Sequence, residues 1–278
     1  MANERSLRVW LVAIVGLPPA IGAGAGCVGN AGGESIDFPV AAAGPEGAVA
    51  GQPLACASDP GWDVTLTQAS LHIGAIYLNQ AMPVSGAQAT GCYLTGTYVA
   101  QETSGIDVDL LSADPQPFPA KAHGITIPSP EIGEVWLTRG SLTAVPSSNP
   151  IMPVLIVAGT ATESATAASI PFTGTVTIES AYQATGASAS GDPICKKRLV
   201  SLIPAPVTLQ DTGGLLLRVD PCRLFIGVDF SLVPAGPGVG TFQFVDDPNA
   251  AGYSPTGSAL YGNLHSTGPY TFAWETDL

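Results

Sequence analysis

Residues 61–80 read GWDVTLTQASLHIGAIYLNQ, and their alternation decides the fold class. Trp62, Val64 and Leu66 recur at every second position, the period of a strand with one buried face, whereas a helix would space its apolar residues three and four apart. From Ala69 the parity changes, and Ala69, Leu71, Ile73, Ala75 and Tyr77 occupy the other set of positions. A β-bulge at Thr67 and Gln68, or a short turn, would account for the switch by inserting a residue. The second half is apolar on both faces, which predicts a strand in the middle of a two-sheet sandwich, covered on both sides for part of its length.

Other strand-like runs follow at sandwich spacing, most of them bounded by Gly, Pro, Asp or Ser. They are Gly91–Ala100, Ile106–Leu111, Glu134–Leu142, Pro153–Thr162, Ile170–Ser180, Cys195–Ile203, Pro206–Gln210, Leu215–Val219, Leu224–Val233, Thr241–Val245 and Tyr270–Glu275. Nowhere do ten residues show clean helical periodicity, and no repeat recurs at a fixed period. The fold class is therefore all-β, a β-sandwich or Greek-key-like set of antiparallel sheets with long Gly/Pro-rich loops. The proline-rich run 115–130, PQPFPAKAHGITIPSP, reads as a loop. The domain is expected over 56–278, with 145–152 as the place where two sub-domains would meet.

The chain opens MANERSLRVWLVAIVGLPPAIGAGAGC. Arg5 and Arg8 precede an apolar run, Val9–Leu17, and small residues lead to Cys27, the layout of a secretory signal peptide over 1–26. The run is shorter than the ~20 residues of a membrane-spanning helix and is broken by Pro18 and Pro19. Gly24, Ala25 and Gly26 before Cys27 resemble the lipobox of bacterial lipoproteins, in which the cysteine receives the lipid. Gly24 departs from that pattern, where an aliphatic residue is usual, so ordinary cleavage after Ala23 or Ala25 is the alternative. The resemblance implies an acyl (palmitate-type) anchor on Cys27 and a place in the cell envelope, in the outer membrane if the host is Gram-negative, since Val28 rather than Asp follows the cysteine. Residues 27–55, rich in Gly, Ala and Pro, then read as a flexible tether reaching on the order of 30 Å.

Charged residues make up only 11% of the chain, against 33 Gly and 25 Pro, which favours turns over salt-bridged helices. The net charge of −13 leaves no basic surface for nucleic acid, and it disfavours anionic headgroups, so membrane attachment falls to the lipid. Lys196, Lys197 and Arg198 are the one basic run, read as guards of an edge strand.

Five cysteines, Cys27, Cys56, Cys92, Cys195 and Cys222, leave an even set of four once Cys27 is acylated. Without CxxC or metal-ligand spacing, two disulfides are the expectation in an oxidising compartment. Of the three connectivities, Cys56 with Cys92 and Cys195 with Cys222 are favoured, each pair bracketing a short run of strands.

Sites for chemistry are sparse. His72, His123 and His265 are isolated in sequence, unlike the HExxH pair of a zinc hydrolase, and His72 reads as a structural histidine. The three would hold a transition metal only by converging in space. Asp246 and Asp247, at the end of an apolar strand, could ligate calcium at a sandwich edge, while Asp107 and Asp109 fail as an EF-hand because Leu111 follows and the loop glycine is missing. Residues 186–191, GASASG, lack the spacing of a serine-hydrolase elbow. Tyr253, Tyr261, Tyr270, Phe272 and Trp274 read as core-closing aromatics.

The sequence thus predicts a non-enzymatic, lipid-anchored extracytoplasmic binding or structural module, recognising a protein, small molecule or glycan. A metal-handling lipoprotein, using the histidines with Met82 or Met152, and a secreted hydrolase with an unrecognised site are the alternatives.

Overall fold

The computed structural model describes residues 33–57, 61–81, 97–139, 152–178, 197–236, 242–245 and 255–278. In chain order the strands are β1 (Ser35–Phe38), β2 (Val40–Ala43), β3 (Leu54–Ala57), β4 (Trp62–Ile73), β5 (Ala75–Asn79), β6 (Tyr98–Glu102), β7 (Ile106–Asp109) and β8 (Gln116–Pro117). They continue as β9 (Ala122–Ile125), β10 (Ile132–Trp136), β11 (Leu155–Glu163), β12 (Ser169–Val176), β13 (Leu199–Pro204), β14 (Gly214–Val219), β15 (Phe242–Val245) and β16 (Tyr270–Glu275), with a single α-helix among the described residues, α1 (Pro255–Leu264).

The fold is an all-β sandwich built from three sheets. Sheet one runs β1-β9-β6-β5-β10-β13 and is antiparallel throughout. Sheet two runs β15-β12-β11-β4-β3, with β7 also on β4. Sheet three runs β16-β14-β2-β8, where β14 is parallel to β2 and antiparallel to β16. One core joins them, including Phe38, Ile76 and Val135 from sheet one, Val64, Leu66 and Val157 from sheet two, and Leu215 and Leu217 from sheet three. Each such side chain, once fully buried, contributes about 1.5–3 kcal/mol of hydrophobic stabilisation. Strands from before and after residues 145–152 share all three sheets, so this core is not divided there.

The parity change in β4 is a bulge. Leu66 faces Gly159 and Gln68 faces Ala158 on β11, so Thr67 is the extra residue. Inserting it returns Ala69, Leu71 and Ile73 to the same core as Trp62, Val64 and Leu66: a change of parity in sequence becomes continuity of face in space. Gly159 is required at this point, because a Cβ there would lie 2.2 Å from the Thr65 carbonyl oxygen.

At Gly74 the chain leaves sheet two and enters sheet one. Its N–H donates to the Trp136 carbonyl (2.7 Å), and a Cβ would stand 2.2 Å from the Thr138 carbonyl oxygen. Parity changes again here. Ile76 and Leu78 join the main core, while Ala75 and Tyr77 turn outward to pack with Trp136 and Leu199. The expectation that Ala75 and Tyr77 prolong the face of Ile73 therefore fails, because the strand changes sheets between them.

Several other expectations are corrected. The segment 27–55, expected to be a tether, is built into the sheets from Ser35: Phe38 is 1% exposed, and Ala42 and Ala43 are fully buried within β2. Its small side chains let β2 lie between β14 and β8, which composition alone does not reveal. Among the described residues Cys56 is bonded to Cys222, across 166 residues, so neither cysteine can bond Cys92 or Cys195, which lie outside the described residues, as does Cys27. Proximity in sequence misled the pairing, for the fold sets β3 beside the turn that follows β14. Closing so long a loop is worth about 5 kcal/mol in the chain-entropy model.

Leu224–Val233 is not a strand. Asp220 and Asp229 accept from the backbone N–H groups of Cys222 and Ser231 (2.9 Å each) and start two 3-10 turns, Pro221–Phe225 and Phe230–Leu232. Residues 206–210 lie outside any strand. The loop expected over 115–130 supplies β8 and β9, the latter lying between β1 and β6. Arg198, expected at an exposed edge, is 2% exposed. Tyr270 and Phe272 do close the core, and Trp274 packs against it.

Candidate functional site

The structure holds the three histidines apart. His72 on β4 faces Asp107 on β7 as a cross-strand pair, with Nδ1 3.1 Å from Oδ1. Arg139 grips the same carboxylate with both Nη atoms, and its Nε donates to the Pro153 carbonyl (2.9 Å). Burial and the Arg139 charge together lower the His72 pKa against the opposing pull of Asp107. Burial pushes Asp107 upward, but Arg139 and His72 outweigh it and hold the carboxyl below its ordinary range. His265 donates through Nε2 to the Lys197 carbonyl, which also accepts from the Tyr261 hydroxyl (3.3 Å), and burial lowers its pKa.

His123 on β9 has Nδ1 2.9 Å from Asp37 Oδ1 and Nε2 3.4 Å from Ser35 Oγ, both on β1. That is the contact order of a serine–histidine–acid relay. Its side chains stand on an exposed edge, His123 at 51% and Asp37 at 66%, unlike the desolvated site in which such relays act. Among the described residues no three His, Cys, Asp or Glu side chains gather as metal ligands, and Asp246 and Asp247 lie outside those residues.

Two other places concentrate polar groups. The first is a notch in sheet two. β3 covers β4 as far as Leu66 and β7 resumes at Ser70, so the bulged residues Thr67–Ala69 have no strand beside them on that edge. The gap opens a groove of about 370 Å³, lined by Gln52, Thr67, Gln68, Ser70 and Asp109 over Pro53, Ala69 and Leu111. Its volume is at the lower end of ligand clefts, roughly 300–1,000 Å³. Asp109 is held rigidly: its N–H donates to Gln116 Oε1 (2.8 Å), its carbonyl accepts from Gln116 Nε2 (2.9 Å), and its Oδ1 accepts from the Leu111 N–H (2.9 Å). The lining offers amides, hydroxyls and one carboxylate, without a basic side chain, and suits a neutral hydroxyl-rich ligand over an anion.

The second lies on the outward face of sheet one. Glu134 on β10 stands directly across from Tyr77 and is fully buried. Asn79 Nδ2 donates to its Oε1 (2.7 Å), and the Tyr98 hydroxyl lies 3.5 and 3.4 Å from its two oxygens. Tyr77 meets Tyr98 and Trp136 edge-on, with centroids 5.4 and 6.2 Å away. Burial pushes the Glu134 carboxyl up to about 7, opposed by Trp136, Asn79 and Tyr98.

No protein-family model matches the chain, and no curated protein matches it. Among solved structures, MbnP from Methylosinus trichosporium is similar over 87% of this chain and 98% of that one, at 11% identity and a TM-score of 0.38. A likeness that slight carries neither detail of the fold nor activity to this protein.

Sequence reasoning missed both polar places. The notch had a signal in the consecutive exposed polar residues Thr67 and Gln68 at the parity change. Glu134 had one too, because a strand read from Glu134 places this acid on the same face as Trp136.

Proposed function

We propose that the chain is a lipid-anchored extracytoplasmic binding module that takes a neutral, hydroxyl-rich ligand such as a glycan in the notch of sheet two. The observation that carries this reading is the groove itself, where a bulge and a gap between β3 and β7 bring five polar side chains together along a stretch of β4 that has no strand beside it. The Cys56–Cys222 bond supports an oxidising compartment, and the lipobox resemblance at Cys27 supports the anchor.

An array of neutral and anionic oligosaccharides tests the ligand. Retention of neutral glycans that is lost in the double variant Gln68→Ala, Asp109→Ala is the expected result, and no retention of any glycan sinks the reading. Anchoring is tested separately: Cys27→Ala should move the protein from the membrane to the soluble fraction and remove acyl mass from the mature N-terminus.

A second reading, a secreted hydrolase, has one observation in its favour, the Ser35–His123–Asp37 contact order. A fluorophosphonate probe separates the two. Covalent labelling at Ser35 would transfer the assignment to the hydrolase, and we expect none.

A further inference from the structure

Glu134 and Trp136 share one face of β10, two residues apart, and both are buried, at 0% and 3% exposure. The Trp136 indole acts on the Glu134 carboxyl, yet its Nε1–H is not aligned with any acceptor as a hydrogen bond. A buried N–H left in that state is costly, because it has given up water without gaining a full partner. The carboxyl meanwhile has donors in Asn79 and Tyr98, and an ionised carboxylate has room for more, since it accepts at up to about four lone-pair positions. A donor turned toward the carboxyl but short of hydrogen-bond geometry thus stands beside an acid that gains accepting capacity when it loses its proton.

We propose that Glu134 and Trp136 form a proton-operated contact, in which loss of the carboxyl proton recruits the indole N–H and resets the packing of Tyr77 and Tyr98 over the outward face of sheet one. This goes beyond the binding reading and does not depend on the groove or the anchor. The neighbouring strands bring the groups that face the acid. β5 brings Tyr77 and Asn79, β6 brings Tyr98, and β13 brings Leu199 opposite Trp136. Lys197 and the buried Arg198 precede β13, and Glu102 at the end of β6 acts with Glu134 in raising Tyr77 beyond what burial does. The groups that act on Glu134 itself are burial, Trp136, Asn79 and Tyr98, none of them charged, so its proton is set by desolvation and donor count. Because Tyr77 touches both other rings edge-on, a rotation of the Trp136 indole is passed on to Tyr77 and, through it, to Tyr98.

The test is the indole N–H resonance of Trp136 in the full-length protein labelled with nitrogen-15, followed from about pH 5 to 9, across the range where the carboxyl would titrate. Its assignment is the peak missing from Trp136→Phe. The expected result is a downfield movement with one midpoint between about pH 6 and 8. The same peak should stay fixed in Glu134→Gln, and its midpoint should rise in Tyr98→Phe, which removes one donor to the carboxylate. Trp62 and Trp274, whose Nε1 donates to the Thr212 carbonyl (3.1 Å), serve as references that should not move. A wild-type Trp136 peak that stays fixed across the range overturns the proposal, and so does one that moves equally in Glu134→Gln or together with the two references. If Trp136→Phe fails to fold, sequential assignment of the wild-type protein identifies the peak, so the wild-type titration still decides the matter.

Discussion

Glu134 and Asp107 are carboxylates on strands of adjoining sheets, and the structure drives them in opposite directions. Glu134 is fully buried among neutral donors, and desolvation wins: the proton is held to about pH 7. Asp107, with its side chain 55% exposed, meets Arg139 and His72, and charge wins: the proton leaves early. Burial alone does not fix a group's charge state. What decides it is whether burial comes with a counter-charge or only with dipoles.

The largest effect should come from removing the titration of Glu134. Its folded-state pKa lies above the ordinary 4.5, so between pH 4.5 and about 7 the unfolded chain has released a proton that the folded chain keeps. Stability from this group is therefore fullest below that window and falls as pH rises through it, by roughly 3 kcal/mol in total. Urea midpoints at pH 4.5, 6 and 8 should show the decline in the wild type and much less of it in Glu134→Gln, which should be the more stable protein at pH 8. An equal slope in both proteins would erase the contrast with Asp107.

A smaller effect is expected at the other carboxylate. Arg139→Gln should raise the pKa of Asp107 and also of His72, because the guanidinium lowers both. Titration of the His72 ring protons by NMR measures this directly, and an unmoved His72 would mean that the guanidinium has no part in setting its state. With its folded-state pKa lowered, His72 binds its proton later than the unfolded chain does, so its contribution to stability is lost as pH falls below 6.5. The smallest effect belongs to the exposed edge. Asp37→Asn should change stability by less than about 1 kcal/mol, as for other solvent-exposed pairs, when measured by thermal unfolding.

How much of this was legible in the sequence follows from local pattern. The alternation of Trp62–Ile73 gave the strand and offered a bulge at Thr67 and Gln68, or a short turn, for its change of parity, because strand period and face are local properties. Tyr270–Glu275 was read to the residue for the same reason. α1 was not, since PTGSALYGNL holds two glycines and a single buried pair of leucines, Leu260 and Leu264, one turn apart. It forms because the rest of the fold holds it: Thr256 Oγ1 donates to the Asp229 carbonyl, and Asn263 Nδ2 donates to the carbonyls of Leu224 and Ile226, all at 2.8 Å.

The Cys56–Cys222 pairing was illegible because it depends on which strands neighbour one another across 166 residues. Of the residues singled out for binding, His72 and His123 each found a partner on the neighbouring strand, and His265, just past α1, found the Lys197 carbonyl. The polar groove instead arose where two strands stop short, something no single segment encodes.

The placement of β2 has a mechanical consequence. The first strands of the described chain are β1, at an edge of sheet one, and β2, held between β14 and β8 in sheet three. A pull arriving from the amino-terminal side reaches β1 first and then β2; directed along β2, it would meet the hydrogen bonds to the parallel β14 crosswise, so that they would slide together rather than open one at a time. A domain held by its amino-terminal end would thus carry tension on a strand inside a sheet, with the disulfide at Cys56 closing the path thirteen residues beyond the end of β2.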